Sequence, residues 1–343
     1  MTNPSPVPAD ESSLHGQWRA IVARYHCPSR WRSTWQLANT LLPYAVGCAL
    51  MYWSLGVSYL LTLVLAVPTA GLLVRIFIIS HDCGHGAFFR SRRANDIFGG
   101  ITSFLCCTPY HFWKHEHAVH HASAGNLDER GRGDIWTMTV KEYEAASRIK
   151  RLAYRMYRNP VVLFGVGAFY VFMLEYRVPP VKGTARDRAS VWRTNLGLAA
   201  VIALAYLTIG LKALALIQVP VFFIAAGAGA WLFYVQHQFE NVYWARDGEW
   251  DYVAACVQGS SFYRLPRVLQ WFTGSIGFHH VHHLSAKIPN YFLEKCHREN
   301  PVFHHSPQLS LWSSLRCMNY RLWDEERKKL ITFAQFREYR RAA

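Results

Sequence analysis

Two long apolar blocks dominate the hydrophobic pattern of the chain. No Asp, Glu, Lys or Arg occurs between Arg32 and Arg75, and a second block runs from Thr194 to Phe239 with Lys212 as its one charge. A membrane-spanning helix needs about 20 apolar residues, so each block has room for two spans joined by a tight turn. The pattern predicts spans at residues 37–54, 58–79, 195–211 and 214–236.

The four predicted spans are apolar all round, whereas a core helix of a soluble protein is usually amphipathic or short. We therefore expect an all-α integral membrane protein with four transmembrane helices in two hairpins. Residues 97–113 and 160–174 are apolar but shorter or interrupted, and they are expected to be interfacial or re-entrant. Residues 139–158 and 324–341 have the periodicity of amphipathic surface helices.

The two hairpins predict which parts of the chain share one side of the membrane. One side of the membrane should hold the N-terminus, residues 80–194 and the C-terminal third. That side then carries all of the 37 Lys and Arg residues except Lys212. The positive-inside rule assigns that side to the cytosol. We expect an N-terminal cytosolic segment over 1–35, partly disordered in NPSPVPADESS, a membrane domain over 36–300 and a cytosolic helical tail over 301–343.

The charge and the cysteine content of the chain limit which binding partners and which cellular compartment we expect. The formal net charge of +15 would suit an acidic protein partner or anionic lipid headgroups equally well. Nucleic acid is not expected, because no zinc-finger spacing, RNP-like motif or long basic run occurs. The 8 cysteines form no CxxC pair and the first 35 residues carry no secretory h-region, so we expect free thiols in a reducing cytosol.

The candidate chemistry lies in the 17 histidines, which are clustered. HDCGH spaces its two histidines at i, i+4, while HAVHH and HHVHH each contain an i, i+3, i+4 set, and both spacings put the rings on one helix face. One histidine stands alone in YVQHQF. The clustered positions are His81 and His85, then His117, His120 and His121, then His279, His282 and His283, with His237 as the isolated one.

Eight or nine imidazoles exceed the four ligands of one tetrahedral metal, so the clusters predict two metal ions, forming a di-metal site in a cytosolic helical cap. Imidazole suits Zn, Cu, Fe and Ni, and iron best explains a redox site at a membrane surface. A metal transporter and a purely structural metal site are the alternatives from other classes. Transport would need polar ligands within the spans, which are nearly free of them.

The flanking sequence adds a family resemblance. The stretches ISHDCGHGAFF, HFWKHEHAVHHASAGNLDERG and GFHHVHHLSAKIPNY, with YVQHQFENVYW, resemble the three histidine boxes and the isolated histidine of membrane fatty acid desaturases. Within that family they resemble the bacterial acyl-lipid desaturases of the omega-6, or position-12, type. The resemblance implies a non-haem di-iron centre that uses O₂ to place a cis double bond in an acyl chain. A related di-iron membrane hydroxylase or carotenoid oxygenase is the alternative enzyme.

The resemblance also implies which histidines bind iron. The implied ligands are His81, His85, His117, His120, His121, His237, His279, His282 and His283. His280 occupies a variable position of the third box and is left out. Ordinary polar contacts are expected for His111 and His115.

The remaining polar residues near the boxes receive weaker expectations. His15, His26, His297, His304 and His305 are expected at the surface. Asp82, Asp128, Glu129 and Asp134 are candidates to accept the free N–H of ligand imidazoles, although the last three are equally plausible as solvated loop charges.

The substrate and the electron donor must come from outside the chain. Trp113, Trp231, Phe233, Tyr234 and Phe262 are candidates to line an acyl tunnel, although for any one of them a lipid-facing or core position is favoured. No haem motif, iron–sulfur cysteine set or nucleotide loop occurs, so an external donor such as a ferredoxin is expected. The sequence leaves open the double-bond position, the acyl carrier, the identity of the donor and the oligomeric state. The expected location is a bacterial inner membrane, with the active site on the cytosolic face.

Overall fold

The computed structural model describes residues 9–131 and 133–342, which are mostly helical. The α-helices, numbered in chain order, are α1 (Ala9–Ala23), α2 (Arg30–Ser54), α3 (Tyr59–Gly84), α4 (Arg92–Leu105), α5 (Tyr110–Ser123), α6 (Val140–Ala145), α7 (Arg148–Tyr157), α8 (Ala168–Met173), α9 (Ala185–Leu207), α10 (Leu211–His237), α11 (Tyr252–Val257), α12 (Arg267–Phe272), α13 (His279–Leu284), α14 (Asn290–Glu299), α15 (Leu311–Ser314) and α16 (Phe333–Ala342). The strands are β1 (Met138–Thr139), β2 (Phe262–Arg264), β3 (Gln308–Ser310), β4 (Tyr320–Asp324) and β5 (Lys329–Thr332). Tighter or wider helical turns occur at Val162–Gly167, Glu175–Arg177, Pro301–His305 and Leu315–Asn319.

Three helices of the described chain, α3, α9 and α10, are long and apolar enough to cross a membrane. They overlap the second, third and fourth predicted spans. Helix α9 begins at Ala185, well before the predicted start at residue 195, because Thr184 and Asp187 form a capping box there. Helix α3 continues past the predicted end at residue 79 to Gly84, which carries the helix into the first histidine cluster.

The first predicted span, residues 37–54, falls within α2. This helix does not join the three candidate spans, because Asn39, Thr40, Pro43 and Ser54 dilute its apolar character. A fourth crossing could instead come from α7 and the helical segment 162–177, whose axes differ by 71°, as a broken span or a re-entrant loop. The described residues thus give three candidate spans or four with the bent pair, and the two-hairpin topology stays a prediction.

Helix α3 is the centre of the apolar core and packs against both α2 and α10. Ala66 and Ala70 on α3 and Val221 and Ala225 on α10 are buried in the same cluster. Small side chains let apolar helices approach closely, so dispersion contacts along the seam stabilise the packing. The two long helices end on the same side of the molecule, at Gly84 and His237.

Two small sheets, each combining an earlier strand with strands from the C-terminal part of the chain, correct the all-α expectation. Strand β1 pairs in parallel with β4, which pairs antiparallel with β5, and β2 pairs in parallel with β3. The stretch 324–341, predicted as one helix, supplies β5 before α16 begins at Phe333. Leu330 and Ile331 are buried in this hairpin, so tertiary burial rather than local periodicity decides its conformation.

Two further surface expectations are revised in detail. Residues 139–158 are helical as predicted but break into α6 and α7, because Thr139 caps the first and Ser147 caps the second. Part of the stretch expected to be disordered, residues 9–13, forms the start of α1, while residues 1–8 lie outside the described residues.

Candidate metal centre

The first two candidate ligands lie where α3 ends. His81 occupies the last turn and His85 follows as the C-cap residue, with ring centroids 4.7 Å apart. The chain turns away at Gly86, whose φ of 68° suits a residue without a side chain. The buried Asp82 carboxylate lies 3.1 Å from His81 Nδ1 and accepts hydrogen bonds from the backbone and side-chain amides of Asn290.

Helix α5 contributes the second cluster. The i, i+3, i+4 spacing of His117, His120 and His121 directs all three rings to the side of α5 that meets α3 and α13. The Nδ1 atom of His120 lies 2.7 Å from an oxygen of Asp134, which fixes the ring and leaves Nε2 facing the other histidines. Trp113, one turn earlier, stacks on His117 with a centroid distance of 4.5 Å.

Helices α10 and α13 close the site from the opposite side. His237, the last residue of α10, has its Nε2 atom 3.3 Å from that of His120 and 2.9 Å from that of His279. The short helix α13 carries the third box, and its histidines are almost fully buried. The Nε2 atom of His282 lies 3.1 Å from that of His121, so α13 meets α5 directly.

The predicted ligands assemble into two adjoining groups. Within each group the candidate ligand atoms all lie within 4.8 Å of one another. One group contains His81, His85, His117, His121 and His282, and the other contains His120, His237 and His283. The rings of His121 and His283 stack at 4.2 Å and join the groups, while His279 borders the second group through His237.

His280 turns away from both groups, as expected of the residue left out. Its Nε2 atom lies 3.0 Å from Nδ1 of His297 on α14, and Phe262 and Phe303 pack around the pair. The expectation that His297 lies at the surface is wrong, because its exposed fraction is 7%. Periodicity could not reveal this, since the partner that buries His297 is distant in sequence.

The other histidines outside the groups behave as simple polar residues. His115 lies 3.0 Å from the Asp187 carboxylate, and the backbone amide of His111 donates to Ser190. His26 is exposed and lies 2.7 Å from the Ser285 hydroxyl. His304 and His305 are also exposed, and the side chain of His15 lies outside the described part of the chain.

The carboxylates near the boxes divide by their contacts. Asp82 and Asp134 each face the Nδ1 atom of a clustered histidine, as a partner that orients a ligand ring would. Asp128 instead pairs with Arg246 and accepts from the backbone amide of Asp247, so it is a loop charge. Sequence spacing alone did not separate these two behaviours.

Burial determines the protonation of the clustered histidines outside the spanning helices. Burial is the larger cause and neighbouring imidazoles the smaller one, and together they hold the pKa values of these rings well below the usual 6.5. The rings concerned are His117, His121, His279, His282 and His283. Neutral imidazole is the form that binds metal ions, so the site is prepared for ligation at neutral pH.

Only some of the aromatic residues proposed for a tunnel adjoin the histidines. Trp113 stacks on His117, and the ring of Phe233 lies 5.1 Å from that of His120 and 5.2 Å from that of His237. Tyr234 instead donates hydrogen bonds to the backbone carbonyls of Cys317 and Tyr320 and packs under the small sheets.

Trp231 and Phe262 lie apart from the two groups of histidines. Trp231 donates a hydrogen bond to the Tyr263 hydroxyl, while Phe262 stacks on Phe278 and contacts His297. The apolar wall of the histidine site is therefore formed by Trp113 and Phe233.

A buried arginine that the sequence did not single out supports the end of α10. The guanidinium of Arg158 is fully buried and donates to the Tyr234 hydroxyl, the Gln238 side chain and the Tyr320 carbonyl. Gln238 directly follows His237, so these bonds fix the helix end that presents the isolated histidine. The sequence gives no sign that Arg158 is buried, because α7 also carries basic residues on its exposed face.

The donor set fits a pair of metal ions. Facing Nε2 atoms approach to 2.9–3.3 Å across helices, and the buried Nε2 atoms of His85 and His283 have no protein partner in the described chain. A buried polar atom without a partner is costly unless something else binds it. Imidazole suits Zn, Cu, Fe and Ni, and two adjoining groups suit two ions rather than one.

Comparisons with known proteins identify relatives of the whole arrangement. A model of the fatty acid desaturase family matches residues 57–312, which include every clustered histidine. A fatty acid desaturase of Bacillus subtilis (strain 168) is 48% identical over 312 residues, covering 91% of this chain and 89% of the relative.

More distant relatives carry more specific names. An sn-1 oleoyl-lipid 12-desaturase of Synechocystis sp. (strain ATCC 27184 / PCC 6803 / Kazusa) is 28% identical over 255 residues, covering 71% of this chain and 70% of the relative. An sn-1 acyl-lipid omega-3 desaturase (ferredoxin) of the same organism is 26% identical over 237 residues, covering 64% and 62%.

Proposed function

The chain belongs to the fatty acid desaturase family and is an oxidoreductase, and we propose that it introduces a cis double bond into the acyl chain of a membrane lipid with O₂ and a histidine-bound di-iron centre. The observation that carries the proposal is the meeting of three distant histidine clusters and His237 in two adjoining groups. The proposed ligands are the nine histidines of those clusters.

The protein's part in this reaction is placement. Two bound iron ions would supply the activation of O₂ and the removal of hydrogen from two unactivated methylenes. Asp82 and Asp134 hold the imidazoles of His81 and His120 in orientation. Burial lowers the pKa values of His282 and His283, which favours the neutral form that binds metal ions, and it limits the access of bulk water to this part of the site.

The reaction requires electrons beyond those of the substrate. Conversion of CH₂–CH₂ and O₂ into CH=CH and two waters consumes two additional electrons and two protons. An external one-electron carrier that delivers one electron in each of two encounters, with two protons taken from water, would complete the balance. A ferredoxin is the proposed donor, supported by the basic character of the chain and by the name of the omega-3 relative.

The substrate is proposed to be an acyl chain esterified to a membrane lipid, with the new double bond at position 12. The names of the sn-1 oleoyl-lipid 12-desaturases and the resemblance in the histidine boxes support this choice. Trp113 and Phe233 offer the apolar wall against which such a chain would lie beside the histidines.

The proposed location is a bacterial inner membrane with the iron site on the cytosolic side. Both α3 and α10 are apolar enough to span, and both reach the histidines at their C-terminal ends. Lys212 lies at the start of α10, far from His237 along a helix of 27 residues, as the positive-inside assignment requires.

Expression in a bacterial host that makes oleoyl lipids and no polyunsaturated chains tests the proposal. Gas chromatography with mass spectrometry should reveal a second double bond at position 12 in lipid-bound chains. A product that gains one oxygen atom and no double bond would instead identify a hydroxylase. Absence of any new product, with O₂ supplied and a ferredoxin co-expressed, would contradict the proposed reaction.

A further inference from the structure

A cluster of basic side chains borders the most open edge of the histidine site. His85, His117 and His121 keep partial solvent exposure, whereas His81 and His282 of the same group are buried. Lys287 lies at this edge, where its exposed side chain donates a hydrogen bond of 2.8 Å to the backbone carbonyl of His85.

Three further cations extend this edge into a surface, which we call the basic rim and define as Arg92, Lys114, Arg186 and Lys287. The side chain of Lys114 packs beside Gly84 and the ammonium of Lys287 lies beside Gly86, so these two cations flank His85, and Arg92 begins the helix that follows this turn. The side chains of Lys114 and Arg186 are 37% and 65% exposed and share one carboxylate, Asp96, at 3.2 and 4.0 Å.

The rim is therefore a positively charged surface that contacts a proposed iron ligand directly, through the hydrogen bond from Lys287 to the His85 carbonyl. Like charges that repel one another are costly in isolation, and an incoming negative surface would relieve that repulsion. The rim borders the three histidine residues that keep partial solvent exposure, so a redox centre docked there would lie close to the proposed metal site.

We infer that the basic rim is the docking surface for an acidic one-electron carrier protein that reduces the histidine site. This inference rests on the proposed function, because it presumes a redox-active metal pair at the histidines. Lys287 and Arg92 would act by electrostatic attraction at the edge of the interface, which speeds association and makes it dependent on salt.

The test uses the purified full chain in nanodiscs of neutral phosphatidylcholine, with a plant-type [2Fe–2S] ferredoxin as the probe. Lys287→Glu and Arg92→Glu should each weaken ferredoxin binding by about fivefold or more at low ionic strength and flatten its salt dependence. Because Lys287 also bonds to the His85 carbonyl, Arg92→Glu is the variant that leaves that contact intact. Lys150→Glu, an exposed charge reversal on α7, is the matched control and should bind as the wild type does.

Two further measurements separate the possible explanations. Reduction of the bound metal by dithionite, a small donor that needs no docking, should proceed in Arg92→Glu and Lys150→Glu as it does in the wild type. Unchanged ferredoxin binding in both rim variants, or no binding by the wild type, would overturn the inference. An effect seen only in discs containing phosphatidylglycerol would also overturn it, because the rim would then bind anionic headgroups.

These outcomes are distinct from a failure of the proposed reaction. If the chain makes no double bond in the lipid assay yet binds ferredoxin through the rim, the proposed reaction fails and the docking surface stands. If desaturation proceeds and the rim variants bind normally, the docking surface fails alone.

Discussion

The Nε2 atom of His280 lies 3.0 Å from Nδ1 of His297, and this contact joins α13 to α14 on the side away from the two histidine groups. His280 is fully buried. Its neighbours His279 and His282 point the other way, into the site. The contact therefore anchors the face of this six-residue helix that lies opposite its three proposed ligands.

His280→Ala should retain near wild-type iron per chain but lower stability by about 1–3 kcal/mol, because it leaves a buried His297 nitrogen without its partner. Iron is measured by mass spectrometry of the purified protein, and stability by thermal unfolding in detergent. His282→Ala should lose iron. Equal iron loss in the two variants would show that the assigned faces of α13 are wrong.

Asp134→Asn should weaken iron binding by roughly 10–100-fold, because an amide holds the imidazole of His120 less firmly than a carboxylate does. The affinity is measured by competition with a chelator. Asp128→Asn is the matched control, since that carboxylate pairs with Arg246. His120→Ala removes the proposed ligand itself, so it should lose iron and abolish desaturation, which gives the largest effect expected at this position. An Asp134→Asn variant with wild-type iron affinity would refute the orienting contact.

Phe233→Ala should change the products while iron remains bound, because the ring lies against His120 and His237 without offering a ligand atom. We expect slower turnover and a wider spread of double-bond positions among lipid chains. Phe223→Ala, on the same helix with the side chain 46% exposed, is the control. Identical product profiles for the two variants would exclude Phe233 from the substrate wall.

Arg158→Leu should destabilise the protein by at least about 3 kcal/mol, because it removes several hydrogen bonds and leaves buried acceptors unpaired. Iron loss should accompany unfolding but should also appear below the unfolding temperature, since Gln238 no longer fixes the end of α10. The exposed Arg148→Leu on the same surface helix controls for lost charge. An unfolding temperature equal to that control would contradict the prediction.

His297 should contribute to acid sensitivity. Burial, together with the charges of His304 and Arg298, lowers its pKa from 6.5 to about 4. The unfolded chain therefore binds a proton that the folded protein does not, and stability falls as the pH drops from about 6.5 towards 4. His280 faces the same ring, and burial lowers its pKa as well.

We expect His297→Asn to show a shallower fall in unfolding temperature than the wild type between pH 7 and pH 5. The exposed His304→Gln should keep most of the wild-type slope. Parallel pH profiles for the wild type and His297→Asn would show that this ring does not carry the effect.

The sequence by itself determined the local features of the protein. The apolar runs located α3, α9 and α10, and the i, i+3, i+4 spacing of His117, His120 and His121 predicted one shared face. These features are local, because a helix of fixed pitch converts spacing into direction without reference to the rest of the chain.

Tertiary structure decided everything that depends on distant segments. Only packing divided the histidines into two groups, set Asp134 against His120 and turned His280 towards His297. Strand β4 pairs with the distant β1 and with β5, so residues 329–332, which lie in a segment predicted as helix, became part of a sheet. The physical reason is that burial and hydrogen-bond partners from elsewhere in the chain outweigh the small local preferences that a sequence pattern records.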